Sequence, residues 1–329
     1  MKGKSILLAL SGSQQSRYAT EVCWNLATQL KATITAHHVV DSHSAWEFIG
    51  HENPAFLKSD SYLNAYQQLC KSLFCLGEEL AEAYTSEAKK RGVDDICIVD
   101  EGNPIAQICK RALDHKLVVI GHRPHSAVKH TISAGDEGAI PHAAGQFMRL
   151  SIAEALSNEC ARPLLVVQDK CTVWTSMTIM ISMDHINEVF INSCLDMAMT
   201  LNVNPVLLCL SSGTHEEPPE SFIKDIRESN RRLKDVPMAV APADGQISVY
   251  HDNWCVPDGG SIDKKQFQNT LVVIPTRKVA GERITVVDSS PALFVRHLTL
   301  PSILLWPEEY VYSIAERDQS KAASRGAAI

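Results

Sequence analysis

The run Leu117-Val118-Val119-Ile120-Gly121 returns later in the chain as Leu271-Val272-Val273-Ile274-Pro275. Each copy leads through a helix-like segment to a proline and a second apolar run. The first ends Arg162-Pro163-Leu164-Leu165-Val166-Val167, the second Leu300-Pro301-Ser302-Ile303-Leu304-Leu305. The chain therefore carries an internal duplication. Its period of roughly 140–155 residues is too long for a solenoid and suits two whole domains.

The openings of the two copies agree. Residues 5–10 form an apolar run, followed by a polar turn, a helical stretch over 14–30 and a second apolar run over 33–40. Residues 178–184, 187–201 and 205–210 repeat the order. Strand, helix, strand at this spacing is a βαβ unit with a right-handed crossover. Strands apolar along their whole length belong in a parallel sheet covered by helices on both faces.

Between these runs, the first half reads as a helix over 65–91, a strand over 96–99, a helix over 104–115, a strand over 117–120, a helix over 151–160 and a strand over 164–167. Gly92 stops the long helix, and Pro104 suits a helical first turn, where its missing N–H costs nothing. Residues 43–60, with Trp46, Phe48 and Phe56, read as a long connection over the sheet edge. The second half is leaner. A charged helix is expected over 220–234, a short strand over 247–250 and a reduced helix over 263–269. The resulting domains are 1–170, with a long inserted loop over 121–149, then a degenerate second copy over 171–312 and a flexible tail over 313–329.

Composition excludes several classes. A net charge of −7 argues against a dedicated nucleic-acid binder. No apolar run reaches membrane-spanning length, and the first strand begins too early to leave room for a signal peptide. Ten cysteines include no C-x-x-C pair and many sit in apolar runs, so they read as buried thiols in a reducing cytoplasm. Cys70 and Cys75, five apart on a helix, are poorly spaced for a metal and read as core.

Glu101-Gly102-Asn103-Pro104, Leu117–Gly121 and Ser151-Ile152-Ala153-Glu154 followed by Arg162-Pro163 together resemble the universal stress protein family. In the second copy Asp288-Ser289, Arg296-His297 and Pro301 fall on the same pattern, which resembles a tandem member. The resemblance implies an α/β fold: two five-stranded parallel sheets of doubly wound, flavodoxin-like type, related by a pseudo-twofold. It also implies that the last strands of the two copies meet within the chain, and a homodimer is compatible with it.

Nucleotide-binding members of that family use an Asp after the first strand, G-x-x-G after the fourth, and a later G-S/T before the last helix. Bare glycine backbone approaches phosphate, and a hydroxyl at a helix N-terminus completes the anion site. In the first copy here Ser11 stands at the Asp position, Gly121 remains, Pro124 replaces the second glycine and Leu150 the third, with Ser151 as the hydroxyl. In the second copy Asp184 is present, but Pro275, Lys278 and Asp288 replace all three glycines and Ser289 remains. ATP is therefore not expected as a cofactor, and no other is implied.

If the first copy holds a ligand, Ser11, Val39, Gly121, Arg123 and Ser151 are the residues expected around it. The inserted loop carries His122, His125, His130 and His142, candidates for a metal whose spacing fits no ligand signature. No Ser/His/Asp or Cys/His set has the spacing of a catalytic group, and Ser11-Gly12-Ser13 lacks the glycine frame of a nucleophile elbow. The expected function is therefore that of a non-catalytic, cytoplasmic, stress-associated regulator acting on unidentified protein partners, without nucleic acid or membrane. The alternative is an ATP or small-ligand binder using the first crevice.

Overall fold

A computed structural model describes residues 5–42, 44, 60–123, 150–171, 173–183, 185–211, 220–242, 254–255, 261–262, 269–285, 290–297 and 300–310. The first half runs β1 (Ser5–Ala9), α1 (Gln14–Leu30), β2 (Thr33–Val40), α2 (Asp60–Lys90), β3 (Asp95–Glu101), α3 (Pro104–Ala112), β4 (Leu117–Gly121), α4 (Ile152–Glu159) and β5 (Leu164–Val167). The helix ends follow local chemistry. Ser13 caps α1 by accepting from the Ser16 N–H, and Lys31 closes it in the left-handed region. Asn103 caps α3, with Pro104 in its first turn.

The second half runs β6 (Ser176–Ser182), α5 (Glu188–Leu201), β7 (Asn204–Ser211), α6 (Glu220–Ser229), β8 (Met238–Pro242), β9 (Trp254–Cys255), β10 (Ser261–Ile262), β11 (Thr270–Val279), β12 (Glu282–Thr285), α7 (Pro291–His297) and β13 (Ser302–Pro307). Strands β9 and β10 form a separate small pair.

The large sheet has eleven strands in the order β3-β2-β1-β4-β5-β13-β11-β6-β7-β8, with β12 alongside β11. Its pairs are parallel except two. β13 runs antiparallel to β5, Leu304 opposite Leu165, and β12 runs antiparallel to β11. Two five-stranded sheets whose last strands meet were expected, and here they form one continuous sheet. The apolar edges of β5 and β13 pair with each other, which removes two exposed edges at once. This is the meeting of last strands that the repeat implied. The order within the first half differs from the flavodoxin 2-1-3-4-5 in one respect: β3 lies outside β2.

Both faces are covered. Helices α1, α2 and α5 pack on one face around Leu8, Trp24, Ile34, Tyr84, Ile179 and Phe190. Helices α3, α4 and α7 pack on the other around Leu7, Ile108, Ile120, Leu156, Phe294 and Val295. Cys23, Cys160, Cys171, Cys194 and Cys209 are buried thiols, as composition suggested, and burial pushes Cys171 to about 11 and Cys209 to about 12. Cys75, expected in the core, is exposed and Cys70 is half-buried; the buried residues of α2, Gly77, Tyr84 and Ala88, all lie beyond them toward its C-terminal end. Among the described residues no helix is long and apolar enough to cross a membrane.

The second half departs most from expectation. The strand beside β7 is β8, not 247–250, which lies outside the described residues. The run Met238-Ala239-Val240-Ala241 supplies it, and its terminal Pro242 is tolerable because β8 is an edge. The expected helix over 220–234 breaks at Asn230, whose side chain accepts from the Arg232 N–H and starts a single 3₁₀ turn. The expected helix over 263–269 falls almost wholly outside the described residues, as do the tail over 313–329 and most of the connection over 43–60. Finally, β11 does not stop at Pro275. It continues to Val279, turns through Ala280-Gly281, both at positive φ, and returns as β12.

Candidate functional site

The crevice expected to hold a ligand lies at the carboxyl ends of the strands, where β1 and β4 adjoin and the winding reverses. Register assembles it. Ala9 of β1 sits opposite His37 of β2 and Ile120 of β4. Ser11, Val39 and Gly121 therefore fall within two residues of one level across three neighbouring strands.

Ser11 is exposed. Its N–H donates to the Ser16 hydroxyl at 2.8 Å, and its own hydroxyl lies 3.0 Å from that of Ser13. Ser11 thus belongs to the turn that launches α1. Val39 is half-buried on β2 opposite Asp100 and packs on the α3 side of the sheet. Gly121 ends β4 directly beneath α1. A Cβ built there would lie 2.3 Å from the Gln15 carbonyl carbon and 2.4 Å from the Ser16 nitrogen. Its missing side chain is what lets α1 approach β4.

Ser151 caps α4 in a full capping box. Its hydroxyl accepts from the Glu154 N–H at 3.2 Å, and the Glu154 carboxylate accepts from the Ser151 N–H at 2.8 Å. His122, on the segment leaving β4, is buried, and its Nδ1 lies 3.4 Å from the Ser151 hydroxyl. Arg123 is exposed, and so is Leu150, which stands before the cap where bare backbone would be needed. The structure therefore joins Ser11 to Gly121 through the first turn of α1, and Ser151 to His122. His125, His130, His142 and Pro124 lie outside the described residues, as do Asp184, Asp288 and Ser289. Among the described residues no three His, Cys, Asp or Glu side chains gather as a metal set.

Two polar clusters were missed in the sequence. Behind the capping box, Arg296 of α7 donates to both Glu154 oxygens, at 3.1 and 2.9 Å. The Glu154 side chain is wholly buried. Burial alone would raise its pKa, but the Arg296 hydrogen bonds, the Ser151 N–H and the nearby positive charge outweigh it and hold the carboxyl below its usual range. The second cluster lies under α3. His37 Nε2 is 2.9 Å from an Asp100 oxygen, which also accepts from Arg111 at 2.7 Å. His37 is one of two adjacent histidines in β2, which gave no sign of which one would be buried against a carboxylate. Asp100 and Arg111 lie on separate elements and carried no local signal.

His37 yields a pH prediction. Burial, and then the Arg111 charge, push its pKa below 6.5 despite Asp100. A depressed folded value means that the folded state binds fewer protons. The stabilisation is therefore complete above the unfolded value, about 6.5, and is lost as pH falls through the folded one. Denaturant unfolding should show stability falling as pH drops below about 6.5. His37→Gln should flatten that slope, and an unchanged slope in the variant would assign the dependence elsewhere.

The comparisons agree with this architecture. The universal stress protein family pattern matches residues 3–168, half of the chain, and the chain belongs to that family. In structure, a universal stress protein from Archaeoglobus fulgidus is similar over 93% of this chain and 99% of its own, with a TM-score of 0.57 at 10% identity. A Pseudomonas aeruginosa protein of unknown function is similar over 97% of this chain and 98% of its own, with a TM-score of 0.50 at 12% identity. At such identities the likeness is one of fold. No curated protein matches the sequence.

Proposed function

We propose that the chain is a tandem universal stress protein that has given up nucleotide binding and serves as a non-catalytic regulator through protein contacts. Its first unit would be residues 1–170 and its second 171–312. The tandem reading draws on the strand order. Read outward from the β5–β13 seam, both halves give fifth, fourth, first, second, third.

The observation that carries the functional reading is the use already made of the crevice groups. In the first half Gly121 accommodates α1, Leu150 stands exposed before the α4 cap where bare glycine backbone would be needed, and Ser151 is engaged with Glu154. In the second half Pro275 and Lys278 are strand residues, Pro275 opposite Trp306 and Lys278 opposite Arg283. A phosphate loop there would have to displace a β-hairpin.

The test is equilibrium binding. Full-length protein titrated with ATP in a calorimeter should give no heat of binding at millimolar nucleotide, and protein purified from cells should carry none by absorbance ratio and mass spectrometry. A micromolar affinity would return the first crevice to the alternative reading, an ATP-binding stress protein using Ser11, Val39, Gly121, Arg123 and Ser151.

A further inference from the structure

Around the amino-terminal ends of β1 and β4, at the opposite end of these strands from the crevice, α1 and α5 contact each other over the seam between β5 and β13. A cavity of about 330 Å³ lies there. Protein interiors seldom contain voids much larger than a water molecule. An engineered apolar cavity of about 150 Å³ stays dry and takes up benzene, and this one has about twice that volume.

Both halves of the chain build its wall, which is almost entirely carbon. Leu26 comes from α1, Met197 and Leu201 from α5 and Trp306 from β13, with Trp174 and Tyr310 beside them. The polar groups are few and mostly committed. Trp174 Nε1 donates to the Ser302 hydroxyl at 2.8 Å, and the Ser5 hydroxyl donates to the Asp114 carbonyl at 3.3 Å. Lys116 is exposed, and it and Tyr310 make interactions of their own. Trp306 Nε1 is a buried donor with no partner among the described residues. One neutral N–H does not replace the hydration shell of an ion. A charged molecule of either sign would therefore lose its hydration here for almost no polar contact, whereas apolar surface gains by leaving water.

We infer that this cavity binds an uncharged, hydrocarbon-like molecule of about ten carbon atoms, selected by its volume and its lack of charge. The site lies at the other end of β1 and β4 from the nucleotide crevice, so it stands or falls separately from the reading of that crevice. Each methylene buried should strengthen binding about fourfold until the cavity is full. A ligand held only by the folded chain also stabilises it.

The test titrates the full-length protein with ethylbenzene, n-propylbenzene and n-butylbenzene in a calorimeter and follows the indole N–H resonances of Trp174 and Trp306 by NMR. The charged counterparts are 4-phenylbutyrate and 4-phenylbutylammonium. The expected result is one site per chain, affinity rising about fourfold per methylene, and shifts of both indole resonances. Both ions should bind at least about a hundredfold more weakly than n-butylbenzene. Met197→Trp takes the room of about two methylenes and should weaken n-butylbenzene about tenfold. Met199→Trp, at an exposed position of the same helix, should change nothing. Thermal unfolding shows whether each variant folds, and n-butylbenzene should raise Tm in Met199→Trp more than in Met197→Trp. No binding by the full chain overturns the inference. So does either ion binding as tightly as n-butylbenzene, a comparison made on the wild-type chain that decides even where Met197→Trp fails to fold. Undiminished affinity in a folded Met197→Trp would place the ligand elsewhere and overturn it too.

Discussion

Arg296→Ala should lower the unfolding free energy by about 3–5 kcal/mol, the cost typical of removing one partner from a buried ion pair. The Glu154 side chain is wholly buried and that of Arg296 is 23% exposed. The guanidinium meets both carboxylate oxygens, a fork that lysine cannot reproduce. Without it the carboxylate keeps the Ser151 N–H but loses the charge that compensates its burial. Replacing both partners by apolar residues, Glu154→Leu with Arg296→Met, should cost much less, since the penalty belongs to the uncompensated charge. Urea denaturation of the two variants checks both statements. A loss below about 1 kcal/mol in Arg296→Ala would mean that the pair behaves as a solvated one.

The same pair sets an acid limit. The Glu154 pKa is held below its unfolded value, so its stabilisation is present above about pH 4.3 and is lost as pH falls through the folded value. In Arg296→Ala that acid-dependent component should shrink. The position of the pair adds a structural consequence. Glu154 lies on α4 and Arg296 on α7, and α4 packs against α7 across the seam. Gln168 adds to that junction, donating to the Val295 carbonyl and accepting from the Leu300 N–H, and Ser290 bonds Asn158. The two halves are therefore locked by polar contacts on one face of the sheet.

What the sequence disclosed and what it hid divide along a physical line. Elements dominated by continuous apolar runs were legible nearly to the residue: α1, β2 and β5. Apolar burial and capping are written into short windows. The second half lost that clarity where tertiary context decides. β8 is four apolar residues between two prolines, and only its place at the sheet edge makes Pro242 acceptable. The β11–β12 hairpin was concealed in Thr-Arg-Lys-Val-Ala-Gly-Glu-Arg-Ile-Thr, a weak turn between charged strands. At the candidate site, the identities of Ser11, Gly121 and Ser151 could be read, but not their employment. Nothing local to Gly121 says that α1 will rest on it, and nothing near Ser151 says that an arginine 145 positions downstream will anchor its capping partner. Such facts exist only once the sheet has assembled.

Gly121 offers a decisive contrast between these two kinds of information. As part of a phosphate-binding motif, it would tolerate Ala with little loss of stability and a loss of ligand affinity. In this structure the opposite is expected. An added methyl would stand 2.3 Å from the Gln15 carbonyl carbon, a distance that real Cβ atoms do not show, and the obstructing atoms are backbone and cannot rotate away. The first turn of α1 would have to lift from the end of β4, disturbing the Ser13 cap and the Ser11–Ser16 hydrogen bond. Overpacking of this kind costs about 1–3 kcal/mol, and a backbone obstruction belongs at the upper end. Gly121→Ala should therefore lose about 3 kcal/mol in urea unfolding, with faster amide exchange at Gln15, Ser16 and Arg17 and little effect on β8, at the far edge of the sheet. A variant as stable as the parent would show that α1 can yield there at no cost, and would restore the glycine to a role in ligand approach.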